Sequence, residues 1–199
     1  NTGHRGFSFQ SDAPLDMRFN TESGISARDY LNNADEDEIS TIIHEYGEER
    51  HHAKIARNIY ASINHGNMNS TFDLKNAVAK AVNPRFLTKS LARVFQAVRI
   101  KVNDEFNSLR EALLHSSDWL IASGRIAVIS FHSLEDRMVK HFFTTKEKTC
   151  LCPREYPVCK CNVVPTYKIL TRRAIIPLEQ EVLENHRSRS AKLRVAERV

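Results

Sequence analysis

The sequence predicts an α/β fold, on two observations. Helical periodicity dominates the first half of the chain, and Ile126-Ala127-Val128-Ile129 forms a continuous apolar run that ends abruptly in His132, Ser133, Glu135 and Asp136. A run that is apolar throughout, instead of alternating, is the pattern of a strand covered by helices on both faces. In an open α/β sheet the carboxyl ends of parallel strands are where ligands and chemistry sit. The stretch G-R-I-A-V-I-S-F-H-S-L-E-D-R, Gly124 to Arg137, therefore reads as a parallel strand running into a polar loop that walls an active site. Ser123-Gly124 closes the preceding helix, with Gly supplying the left-handed cap. The plainer alternative is a core strand followed by an ordinary solvated turn.

Taken in order, residues 1 to 20 read as loop and short strand. Ile39, Ile42, Ile43 and Tyr46 recur at i, i+3, i+4 and i+7 behind Asn33 and Asp35 as candidate N-caps, and Ile55, Ile59 and Ile63 continue the pattern beyond Gly47. Ser70-Thr71-Phe72-Asp73 has the form of a capping box opening a helix through Leu74, Ala77, Val78 and Val82, which Pro84 ends. Leu91, Val94, Val98, Val102, Leu109 and Leu113 predict one long helix whose other face carries Arg93, Arg99 and Arg110. Near the C-terminus, Tyr167 to Thr171 has strand character, Pro177 to Glu184 predicts a short helix, and Ala191 to Ala196 predicts a final strand, so the two late strands form a hairpin-like pair completing a sheet.

With 199 residues, 41% hydrophobic and 27% charged, the chain has the composition of an ordinary globular protein with one core or two small ones. No apolar run approaches the roughly 18 residues of a membrane span, and the first residues carry no secretory hydrophobic region, so a cytoplasmic location is expected. A formal charge of +5 permits an anionic partner such as nucleic acid. Its distribution is uneven: Asp35 to Glu38 and Glu45 to Glu49 are acidic, whereas Arg187, Arg189, Lys192, Arg194 and Arg198 stand against Glu197 alone. Arg and Lys interleaved with Ser188 and Ser190 suit phosphate contact, while Ala191, Leu193 and Val195 alternate with charges as in a half-buried strand.

All the cysteines fall in T-C-L-C-P-R-E-Y-P-V-C-K-C, as two C-x-C pairs, Cys150 with Cys152 and Cys159 with Cys161. Four thiolates satisfy tetrahedral zinc, and a reducing compartment favours metal over disulfides. The C-x-C spacing bites more tightly than the usual C-x-x-C, which leaves labile disulfides or four thiols in a loop as competing readings.

The strings R-G-F-S-F (Arg5 to Phe9), P-L-D-M-R (Pro14 to Arg18), E-Y-G-E-E-R (Glu45 to Arg50), F-Q-A-V-R-I-K-V-N-D-E (Phe95 to Glu105), I-S-F-H-S-L-E-D-R (Ile129 to Arg137) and R-S-R-S-A-K-L-R (Arg187 to Arg194) closely resemble the bacterial 16S rRNA (cytosine-N4)-methyltransferases, the RsmH or MraW family. The likeness runs nearly end to end. It implies a class I S-adenosylmethionine-dependent methyltransferase, Rossmann-like with a doubly wound sheet and an inserted helical domain. On that plan residues 1–25 are part of the methyltransferase domain. The insert spans residues 26–90, and residues 91–199 are the C-terminal part of the sheet domain, with a Cys-rich loop at 149–162. Arg125 to Phe131 would be the fifth strand.

The resemblance also implies methylation of the N4 amine of a cytosine in small-subunit rRNA, with S-adenosyl-L-methionine as cofactor, 16S rRNA or the small ribosomal subunit as partner, no membrane, and a homodimer left open. The family's cofactor-binding residues, in the glycine-rich turn after the first strand, at the acidic end of the second, and just before R-G-F-S-F, have no counterpart here. They are expected before residue 1, and the chain alone is expected to be inactive. Because the cytosine amine is a poor nucleophile, the site must accept hydrogen bonds from it while aligning the methyl sulfonium. The candidates are Asp16, His132, Glu135 and Asp136; for Glu135 and Asp136 a helix N-terminus favoured by the macrodipole is an equal alternative. Phe7, Phe9 and Phe131 are candidate base stackers, or ordinary core residues. Arg187, Arg189 and Lys192 are the first candidates for phosphate contact, and Arg18 and Arg99 the second. A catalytically silent RNA-binding module and a zinc-stabilised interaction domain are the other classes the sequence admits.

Overall fold

A computed structural model describes residues 5–150, 152 and 161–199. The chain divides into two compact units, Asn1–Glu105 and Phe106–Val199.

The first unit is helical. It contains α1 (Ala27–Asn33), α2 (Glu36–Glu45), α3 (His52–Asn64), α4 (Thr71–Ala79) and α5 (Leu87–Asn103), with a 3-10 turn at Pro84–Phe86. Three of the starts, those of α1, α2 and α4, have a side-chain cap. The Ser26 hydroxyl accepts from the Asp29 N–H, and Asp35 accepts from the Glu38 N–H at 2.7 Å. Ser70 and Asp73 make the expected capping box at α4. Asn33, the other cap candidate, is instead the last residue of α1. Helix α4 ends at Ala79, and Pro84 opens the 3-10 turn. The periodic isoleucines Ile39, Ile43, Ile55 and Ile59 are fully buried with Leu74, Val94 and Val98, each large side chain contributing about 1.5–3 kcal/mol. Gly47 lets α2 and α5 approach, since a Cβ there would lie 2.6 Å from the Ile43 carbonyl and 2.9 Å from that of Arg93.

Residues 5–25 are threaded irregularly through this unit. Leu15 and Met17 are buried in its core, the Thr71 N–H donates to the Ala13 carbonyl, and the strand expected here is reduced to one bridge between Pro14 and Ser70. Gly6, at φ +74°, allows this path: a Cβ would meet the Pro14 carbonyl at 2.5 Å.

The single helix expected from Leu91 to Leu114 is broken. Asp104 takes a left-handed conformation (φ 49°, ψ 43°) between α5 and α6 (Glu105–Trp119). Asn103 accounts for the stop, because its side-chain amide donates to the Met17 and Arg99 carbonyls and accepts from the Phe19 N–H at 2.6 Å. Aspartate tolerates the left-handed region, so the break needs no glycine and the apolar spacing passes across it unchanged.

The second unit carries the sheet: β1 (Arg125–Ser130), β2 (Tyr167–Ile169) and β3 (Lys192–Arg198), in the order β1-β3-β2, with α7 (Ser133–Glu147) and α8 (Glu179–Glu184). Ala127 lies opposite Val195, and Tyr167 opposite Arg198. The late pair is antiparallel as expected. Strand β1 pairs antiparallel with β3, so that β1 and β2 share a direction on either side of it. On one face of β1, Ile126 and Val128 pack against the core of Leu113, Val139, Phe143, Tyr167 and Ala196; on the other, Ile129 is 59% exposed. The turn before β1 places the positive φ on Ser123, not Gly124. Gly124 is required for space, since a Cβ would sit 2.8 Å from the Ile121 carbonyl.

Candidate functional site: the end of β1 and its surroundings

The backbone leaves β1 at Ser130, crosses Phe131, and enters α7 with His132 as N-cap. His132 Nδ1 accepts from the Glu135 N–H at 3.4 Å, and Glu135 Oε2 accepts from the N–H groups of Phe131 (2.9 Å) and His132 (3.4 Å). An Nδ1 acceptor places the ring proton on Nε2, which faces Glu135 Oε1 at 3.1 Å. The Phe106 ring meets the imidazole edge-on, with centroids 5.9 Å apart. Burial raises the Glu135 pKa, but the His132 ring and the two backbone donors outweigh it and hold the carboxyl below its ordinary value. Phe131, at 55% exposure, stands at the rim.

Asp136, one residue on, is buried and tied down. Arg194 Nε reaches Oδ1 at 2.6 Å and Nη2 reaches Oδ2 at 3.2 Å, with Lys192 Nζ 3.4 Å from Oδ2. The Arg194 hydrogen bond, above all, holds the Asp136 carboxyl below the usual carboxylate range. The pair joins α7 to β3. Arg194 is the residue that sequence reasoning missed, because the alternation of Leu193 and Val195 with charged residues suggests that the apolar members face inward. The opposite holds: Arg194, at 8% exposure, and Ala196 are the buried positions of β3. A buried carboxylate on the facing helix needs a cation, and this sets the orientation.

In the helical unit, Asp16 accepts from Arg18 Nε at 2.7 Å and Nη2 at 3.0 Å, and also from the Arg18 N–H. These contacts, the side-chain bond first, lower its pKa. Arg99 likewise grips Glu105, at 2.7 and 3.0 Å. Both second-choice phosphate residues are thus clamped on carboxylates of their own unit. Arg187 and Arg189 are exposed on a 3-10 turn, His186–Ser190, without a side-chain partner among the described residues, whereas Lys192 shares Asp136. The Ser188 hydroxyl, read as a phosphate donor, instead donates to the Asn185 carbonyl at 2.8 Å. Phe7 stacks on Phe19 and Phe9 meets Phe95 edge-on, both against the helical core.

Cys150, Cys152 and Cys161 bring their sulfurs within 4.8 Å of one another, with Cys150 and Cys161 Sγ 3.6 Å apart. That separation far exceeds a disulfide bond of about 2.05 Å. It matches the edge of about 3.8 Å that a zinc tetrahedron with bonds of about 2.3 Å requires. Cys159, the fourth expected ligand, lies outside the described residues.

Residues 1–199 match the MraW methylase family. The chain is 44% identical over 197 residues to the ribosomal RNA small subunit methyltransferase H of Carboxydothermus hydrogenoformans, 98% of this chain and 63% of that protein. It is 46% identical over 201 residues to the one from Syntrophotalea carbinolica (100% and 64%) and 42% identical over 195 residues to the one from Fusobacterium nucleatum (98% and 62%). The chain therefore spans less than two thirds of the length of these curated relatives. With the match running through every string quoted above and across both units, the chain belongs to the MraW methylase family and shares its class I α/β methyltransferase architecture.

Proposed function

We propose that the protein transfers the methyl group of S-adenosylmethionine to the N4 amine of a cytosine in 16S rRNA, acting in the cytoplasm on the small ribosomal subunit. The observation that carries this is the family match along all 199 residues, with relatives named as small-subunit rRNA methyltransferases. On this reading the helical block at residues 26–90 is the insert, residues 1–25 and 91–199 belong to the sheet domain, and α5 and residues 5–25 add to the compact core around the insert. S-adenosylmethionine is the co-substrate that supplies an electrophilic methyl, and no residue of this chain is assigned to it.

The residues at the end of β1 are suited to orient a base and take its proton. Glu135 is held in its charged form by the neighbours described above and so remains a proton acceptor at neutral pH, whereas Asp16, in the helical unit, has both oxygens bound by Arg18 and holds that guanidinium in place. His132, with Nδ1 on the Glu135 N–H and Nε2 3.1 Å from Glu135 Oε1, holds that carboxylate in place. Asp136, both of whose oxygens are occupied, is a positioning residue that aligns α7 on β3. Arg187, Arg189 and Lys192 supply phosphate contacts, and Phe131 a stacking face. Cys150, Cys152 and Cys161, with Cys159, would hold a structural zinc that braces the loop between α7 and β2.

The test is incubation of the full-length protein with labelled S-adenosylmethionine and small subunits lacking the modification, followed by nucleoside mass spectrometry. N4-methylcytidine is the expected product. Binding of subunits without methyl transfer would replace this reading with that of a silent RNA-binding protein.

A further inference from the structure

We infer that the cleft between the E-Y-G-E-E-R turn and the first turns of α5 is a second contact for single-stranded RNA, holding one nucleotide by its phosphate and its base away from the methylated cytosine. This rests on the proposed RNA substrate and adds a subsite to it. The cleft has a volume of about 310 Å³ and is lined by Glu49, Arg50, His51, Phe86, Lys89, Ser90 and Arg93. Three cations face one carboxylate, and that carboxylate is not available to repel an anion. Glu49 is 1% exposed, accepts from the His51 N–H at 3.0 Å and from Arg93 Nη1 at 3.3 Å, and is thus turned inward. Its role is to position the Arg93 guanidinium, whose remaining N–H donors have no protein partner among the described residues.

Arg50 and Lys89 are exposed, with no ion pair among the described residues, unlike Arg18, Arg57 and Arg99, whose charge is met by a carboxylate. Phe86, at the mouth, is 51% exposed, and the Arg85 guanidinium lies 5.7 Å from its ring centroid. A cationic wall, with Arg50 and Lys89 free of ion pairs among the described residues, beside an exposed ring is the combination that binds single strands: phosphate on the cations, base on the ring. The Arg85 plane adds a second surface against which a base can stack.

The experiment is a fluorescence-anisotropy titration of the full chain with a short labelled oligocytidylate over a range of salt, for the wild type and for Phe86→Ala, Lys89→Ala, Arg50→Ala and Lys54→Ala. Circular dichroism confirms that each variant is folded. Phe86→Ala should weaken binding about 5- to 150-fold, the loss of one base stack. Lys89→Ala and Arg50→Ala should each flatten the salt slope by about 0.7. Lys54→Ala, an exposed lysine on α3 outside the cleft, should keep the wild-type slope. Wild-type affinity and slope in the three cleft variants would overturn the subsite while leaving the rRNA reading intact. A flattening by Lys54→Ala equal to that of the cleft variants would also overturn it, as diffuse attraction. A wild type that binds no oligonucleotide and methylates no subunit would remove both.

Discussion

Replacing Asp136 by Asn removes one charge from a buried pair and leaves almost the same volume. Arg194 Nε then faces a neutral amide at the position where it now meets a carboxylate at 2.6 Å, with the two side chains only 10% and 12% exposed. A cation stranded this way costs about 3–5 kcal/mol, because its desolvation is no longer offset. For a chain of this length that corresponds to a fall in Tm of about 6–20 °C. Lys192, at 3.4 Å and far more exposed, recovers little of it. The pH dependence follows from the lowered Asp136 pKa. A carboxyl with a depressed folded pKa contributes stability above its unfolded value of about 3.9, and that stability is lost as pH falls through the folded value. Wild type and Asp136→Asn should therefore differ at neutral pH and converge in strong acid. Urea unfolding followed by circular dichroism, in a cycle with Arg194→Met, measures the coupling. The double variant should recover much of the loss, since neither charge is then stranded. A single-variant loss below about 1 kcal/mol, or a double variant worse than the sum of the singles, would refute the account of Asp136 as a positioning anion.

Further outcomes are expected at the other groups. His132→Ala removes the N-cap of α7, which should cost about 0.5–2 kcal/mol in stability and abolish methyl transfer in folded full-length protein; wild-type turnover would remove His132 from the site. Reduced, chelator-washed and reconstituted protein should hold about one zinc per chain by atomic absorption, and Cys161→Ser should lose it. A metal-free reduced protein would leave the thiol cluster as packing alone. Arg189→Ala should reduce the salt slope of RNA binding by about 0.7 with little change in stability, and an unchanged slope would take Arg189 out of the interface.

Much of the local structure is written locally. Ser70 and Asp73 close a capping box wherever the chain lets a helix start, and Ile39, Ile42 and Ile43 mark a buried face through their spacing alone. The family strings are legible in the same way, and they carry fold class and expected activity together. What sequence could not settle were choices made by partners distant along the chain. Asn103 stops α5 because Met17 and Phe19 lie beside it, 86 and 84 residues away. No apolar period can register that. Strand β1 is apolar throughout, so its own residues do not say which of them, Ile126 and Val128, meet the core of the second unit.

The candidate site divides along the same line. His132, Glu135 and Asp136 are visible in the sequence as polar residues at a strand end, because the change from apolar to polar is itself a local signal. Whether each is available or occupied is a tertiary matter: Arg194 arrives 58 residues later to occupy Asp136, and Arg18 occupies Asp16 at close range. The thiols of Cys150 and Cys161 show their grouping in sequence, but only folding brings their sulfurs to 3.6 Å. The sequence by itself determined the capped starts of α2 and α4, the periodic helical core and the family. The tertiary structure decided the break at Asp104, the inward turn of Arg194 and the inward-turned Glu49 beneath the cationic cleft. The physical reason is one of range. Caps and periodicity act over a few residues, whereas a buried charge or a covered face is settled only by whichever group arrives to meet it.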